Sequence, residues 1–280
     1  MDERIVDFLI RILALVVGNK RKRKRFRSIC RAAFRNLEVP DNALKMATEM
    51  AISTARMNER AFAEFKGCHT GRDLVVVATG PSLEHFKPID DAVYIGVNYA
   101  YRAKGIELDY LFAMDYSGLC DSMAEMNAYR KGRCEKFYGL FREQEKRVEM
   151  VIPESEVIEA QARRFRVKWW PAEDDAVFKE RFALDLCSEM LASFMSIVFP
   201  ALQFALWTNP RRIYLVGCDC SGSAHFCANG NADSERKFDD LVQPYLWFRD
   251  FAARHYPKTE IVSINPVGLK GIFRDIVQSP

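Results

Sequence analysis

Net charge is what this 280-residue chain has least of. Its 41 basic and 38 acidic residues leave only +3, which excludes a protein that binds nucleic acid through its overall charge. At the N-terminus a long uncharged apolar run is also missing. The N-terminal stretch 5–17 is apolar but holds Asp7 and Arg11, and a helical span needs ~20 largely uncharged residues. A secretory signal carries its positive charges ahead of the apolar run, whereas here they follow it. Without such a signal or a regular framework spacing, the eight cysteines are expected to be reduced thiols in a cytoplasmic setting. There is no Walker lysine and no full dinucleotide fingerprint. No internal repeat occurs, and one basic run is the sole biased tract. What is present is an apolar share of 49%, ample for one large α/β domain with extensions.

The N-terminus combines two signals. Asp7 and Arg11 are four apart and share one helical face, opposite Ile5, Phe8, Leu9, Ile12, Leu13 and Val16. Residues 20–27 then bring seven positive charges in eight positions. An amphipathic helix followed by a polybasic run suits the anionic inner face of a membrane. The other reading is a helix packed on the domain or on a second subunit, with solvated charges behind it; a homo-oligomer stays open. Single-stranded nucleic acid would want interleaved aromatics, which the run lacks. Residues 28–70 read as a helical extension ending in a turn-rich hinge, and 71–280 as the main domain.

The most informative stretch begins at Leu74. Four β-branched or apolar residues lead to Ala78-Thr79-Gly80-Pro81-Ser82 and then turn polar, the signature of a buried strand, a tight turn and a helix start. Gly80 lets backbone approach a ligand, Pro81 fixes φ, and the Ser82 hydroxyl suits a helix cap. Free N–H groups there would hold phosphate or carboxylate, although a plain βα turn has the same look. Further strands are expected at 92–98, 109–115, 137–141, 147–152, 211–217 and 260–264, and helices at 99–104, 184–207 and 238–256. Such alternation predicts a doubly wound, mostly parallel α/β sheet. Ligands then bind at the carboxyl ends of strands, where this chain places Thr79–Ser82, Asn98, Asp115 and Asp219.

These segments, with Gly96-Val97-Asn98, Ile106-Glu107-Leu108-Asp109-Tyr110, Met114-Asp115 and Ile213 through Asp219 followed by His225, resemble a Rossmann-like superfamily. It includes the motility-associated flagellin glycosylation factors, archaeal hydroxymethylpterin diphosphokinase and, more distantly, the sialyltransferases of glycosyltransferase family 42. The resemblance implies a GT-A-like variant of the Rossmann-like sheet and a CMP-sugar donor. Nucleotide contacts would fall on Thr79, Gly80, Pro81, Ser82 and Asn98, with Ser221 and Ser223 in the same site. The sialyltransferases carry a catalytic His before a late helix, where this chain has Arg236, Lys237 and Asp239, and tyrosines where it has Ser221 and Cys227. The flagellin-factor branch has an Asp followed by a His, matching Asp219 and His225. His225 is therefore the expected general base, its pKa near neutrality suiting it to take a hydroxyl proton. Asp219 and Asp115 would complete the catalytic set.

The implied activity is metal-independent transfer of a sialic-acid-like or Kdo-like sugar from CMP to a surface glycan or lipid-linked acceptor, in polysaccharide biosynthesis. An alternative is a Mg-ATP-dependent diphosphokinase with Asp115 and Asp219 on the metal; another is a non-catalytic membrane-surface scaffold. Cys218, Cys220, His225 and Cys227 could also be read as zinc ligands, but C-x-C-x4-H-x-C is not a usual structural spacing.

Overall fold

The computed structural model describes residues 41–141, 150–168, 182–220 and 241–278. The N-terminal segment 1–27, the basic run within it, and residues 221–240, among them Ser221, Ser223, His225 and Cys227, lie outside the described residues. The chain divides into two compact units, Met1–Ser53 and Thr54–Pro280. Helix α1, Asp41–Phe62, runs through the boundary.

Nine described strands form one sheet in the second unit. They are β1 Asp73–Val77, β2 Val93–Val97, β3 Tyr110–Ala113, β4 Glu135–Phe141, β5 Arg163–Lys168, β6 Leu191–Ala192, β7 Arg212–Val216, β8 Glu260–Ile264 and β9 Arg274–Ile276, in the order β6-β5-β4-β3-β2-β1-β7-β8-β9. Every pairing is parallel. The described helices are α2 Met123–Ala128, α3 Glu154–Ala160, α4 Val198–Trp207 and α5 Val242–His255. A parallel sheet is covered on both faces, so its central strands read as continuous apolar runs. Leu74 through Val77 have no exposed surface. Alternate residues supply two cores. Leu74, Val76, Phe112, Phe137 and Phe165 pack on one face with α4 and α5; Val75, Val77, Leu111 and Tyr138 pack on the other.

Helix α4 is buried along all ten residues, as an all-round apolar helix must be. Its one amide, Gln203, is fully used. Nε2 donates to Ala192 O at 2.8 Å and Phe199 O at 2.9 Å, and Oε1 accepts from Ala183 N at 2.9 Å and Ala192 N at 3.2 Å. The side chain thus supplies the short edge strand β6 with partners that a further strand would otherwise provide.

The expected helix over 184–207 is correct only from Val198 on. Before it come β6, paired through Val167 and Leu191, and two left-handed residues, Phe194 and Met195, at φ 44° and 63°. Apolar composition alone did not separate strand from helix there. The expected strand at 147–152 is not found at Met150–Ile152; the next described strand is β5, in Arg163-Arg164-Phe165-Arg166-Val167-Lys168, whose basic alternate positions hid it. Among the described residues no helix is long and apolar enough to cross a membrane. Six cysteines are described, and all are free.

Candidate functional site

Chain order and spatial order together locate the site. From β1 the chain steps outward through β2 to β6, then returns to place β7 on the other side of β1. The carboxyl ends of β1 and β7 therefore flank the topological switch point, where open α/β sheets form their crevice.

The two exits are tied to each other. Ala78 N donates to Val216 O at 2.8 Å, and Gly80 N donates to Gly217 O at 2.8 Å. Ser82 N donates to Asp219 Oδ2 at 2.8 Å, and the Ser82 hydroxyl donates to Asp219 Oδ1. Both carboxylate oxygens of the buried Asp219 are thus engaged by one serine. The Ser82 N–H, expected to be free for an anion, is held by a carboxylate of the chain itself. Ser82 is also no helix cap. The segment Pro81–His85 is a five-residue 3-10 helix with Gly80 at its cap position and no side-chain cap.

Gly80 has an ordinary φ of −70°, so its glycine is explained by space rather than by backbone freedom. A Cβ there would stand 2.5 Å from Asp219 Cγ and 2.6 Å from Gly217 O. Close approach is real, but it is between two loops of the chain. Gly217 needs both properties: its φ is +65°, and a Cβ would fall 2.8 Å from Ala78 O.

Asn98 and Asp115 end the neighbouring strands β2 and β3, both left-handed at φ 46° and 73°. The Asn98 Oδ1 is buried and has no hydrogen-bond partner among the described residues. Asp115 Oδ1 accepts the Ser117 hydroxyl at 2.6 Å. The two exits are joined where Tyr99 donates its hydroxyl to Gly118 O at 2.5 Å. Parallel pairing thus brings Thr79, Gly80, Pro81, Ser82, Asn98, Asp115 and Asp219 to one edge of the sheet. His225, Ser221 and Ser223 follow Cys220 in the chain and lie outside the described residues.

Cys218 and Cys220 belong to the apolar core, and burial pushes the Cys218 thiol up to about 12. Among the described residues no three His, Cys, Asp or Glu side chains converge as a metal cluster. One contact escaped the sequence reading. Gly268, beyond β8, donates its N–H to Asp219 O at 2.7 Å, and nothing in its neighbourhood of the sequence announces that.

No protein-family model matches the sequence, and no curated protein matches it. Two solved structures are similar to it. The MAf glycosyltransferase from Magnetospirillum magneticum AMB-1 aligns at 16% identity and a TM-score of 0.44, over 81% of this chain and 38% of that one. The sialyltransferase CstII from Campylobacter jejuni, in complex with the substrate analogue CMP-3FNeuAc, aligns at 11% identity and a TM-score of 0.37, over 69% of this chain and 80% of that one. This chain spans 38% of the length of the first.

Proposed function

We propose that the chain is a glycosyltransferase that moves an acidic sugar, sialic-acid-like or Kdo-like, from a CMP-activated donor to a glycan or lipid-linked acceptor. The observation that carries the reading is the switch-point edge itself. A glycine-tight turn, a buried aspartate and two left-handed polar residues stand at the carboxyl ends of four adjacent strands. Asn98 offers a buried acceptor without a donor, and a ribose hydroxyl or the cytosine amino group supplies one. Asp219 keeps the Thr79–Ser82 turn in place through both oxygens. Asp115 stands beside Asn98 on the next strand to orient the ribose or the sugar. CMP is a good leaving group, so the remaining demand is removal of the acceptor proton, the work given to His225. Ser221 and Ser223 belong to the same nucleotide site.

A thermal-shift panel of CMP, CDP, UDP, GDP and ATP, with and without Mg²⁺, tests this, because a ligand of the native state raises its melting temperature. CMP should stabilise without metal. Stabilisation by Mg-ATP with no response to CMP would replace the reading with the diphosphokinase. At the membrane, residues 5–17 and 20–27 hold the enzyme against an anionic leaflet, each basic residue contributing about 1 kcal/mol. Removing 1–27 should abolish co-sedimentation with anionic vesicles while leaving the CMP response intact; continued sedimentation would refute the anchor.

A further inference from the structure

A third segment of the chain reaches the switch point, and the proposed chemistry does not use it. After β8 the chain runs through Asn265, Pro266, Val267 and Gly268, forms β9, and ends its described course at Gln278. This segment touches both sides of the switch point. Toward the β7 side, Gly268 N donates to Asp219 O at 2.7 Å. A Cβ on Gly268 would stand 2.6 Å from Cys220 O and 2.7 Å from Asp219 O, both backbone atoms. The buried Leu269 seats the next residue in the core.

Toward the β1 side, Gln278 acts as a two-way clamp. Its Oε1 accepts from Lys87 N at 2.8 Å and its Nε2 donates to Lys87 O at 3.0 Å. Its own N–H donates to Asn265 Oδ1 at 2.9 Å, while Asn265 N donates to Ile276 O at 2.8 Å. The carboxamide thus pairs with Lys87 as a neighbouring strand would. Lys87 lies two residues past the end of the Pro81–His85 segment. That segment is a short 3-10 helix of five residues, whose hydrogen-bond geometry is poorer than that of an α-helix.

We propose that Gln278 and Gly268 are positioning residues of the switch-point crevice: the β8–β9 segment sets the separation between the Pro81–His85 turn and Asp219. The functional weight of this rests on the CMP reading above; the geometric claim does not. Gln278 reaches the turn from its far end, and Gly268 reaches Asp219 from behind, so the Ser82–Asp219 contact is held between two points of one segment.

Residue-resolved amide hydrogen exchange tests it on the full chain. Gln278→Ala should lower protection at Gly80, Ser82 and Leu83 by about tenfold, the loss expected when the bonds fixing a local segment are removed. Ile95 and Leu111, in the sheet interior, should keep their protection. Gln278→Glu retains the acceptor for Lys87 N–H and should recover part of the loss. Gly268→Ala should shift the resonances of Ser82 and Asp219 even where the turn stays protected. Unchanged protection in Gln278→Ala, or an equal loss at Ile95 and Leu111, would overturn the proposal, the second because it describes general destabilisation. A parallel CMP titration should show weaker binding in Gln278→Ala than in the wild type. If the wild type gives no CMP response, the nucleotide reading falls, and exchange alone decides the clamp.

Discussion

Replacing Gly80 by alanine adds one methyl group at the tightest point between β1 and β7. Carbon atoms pack best about 3.5–4.0 Å apart, and the new Cβ would lie 2.5 Å from Asp219 Cγ and 2.6 Å from Gly217 O. The two exits must therefore separate by about 1 Å. Separation on that scale breaks the Gly80–Gly217 bond and both Ser82–Asp219 bonds. A neutral hydrogen bond contributes about 0.5–1.5 kcal/mol and one to a charged group about 1.5–3, so with one bond of the first kind and two of the second the expected loss is about 3.5–7.5 kcal/mol. In a unit of this size the melting temperature should fall by about 7–30 °C. Urea unfolding followed by circular dichroism measures the first quantity and calorimetry the second. Gly105→Ala is the matched control: Gly105 has φ +75° but nothing within 4 Å of its Cβ, so only left-handed strain of about 1 kcal/mol is expected. Gly80→Ala no more destabilising than Gly105→Ala would refute the packing argument.

Three other outcomes follow from the same geometry. In a double-mutant cycle, Ser82→Ala and Asp219→Ala should be non-additive by about 1.5–3 kcal/mol, because both remove the hydroxyl–carboxylate bond; additive effects would show that this bond contributes nothing. Burial, with Arg72 nearby, depresses the pKa of His69, whose Nε2 lies 2.8 Å from the Tyr110 hydroxyl. The unfolded chain then takes up a proton first as pH falls below about 6.5, so stability is fully present above that pH and declines below it. His69→Gln should flatten stability against pH between about 7 and 5, and an identical slope in both proteins would count against it. For the proposed chemistry, His225→Ala should keep CMP affinity near wild type while slowing transfer by ~10²–10⁴-fold; undiminished turnover would move the general base elsewhere.

The residues themselves determined the strand alternation and its polar ends. Leu74–Val77 and Ile213–Val216 could be read as buried parallel strands because both faces of each are covered, and such strands have no polar alternation to lose. Asn98, Asp115 and Asp219 stood out because each ends an apolar run. Tertiary structure decided which of these ends meet. The order β2-β1-β7 is not written in any local stretch, and without it nothing pairs Ser82 with Asp219, 137 residues apart. Nor does local sequence say whether a glycine serves a ligand or a neighbouring loop. Gly80 looks the same in either case, and only the position of the Asp219 carboxyl distinguishes them. Likewise β6 and the left-handed Phe194-Met195 pair were hidden in an apolar run, because β5 pairing and the Gln203 amide outweigh local helix preference there. Local chemistry names the polar groups that strand ends present, whereas long-range pairing decides which of those groups are already satisfied by the chain.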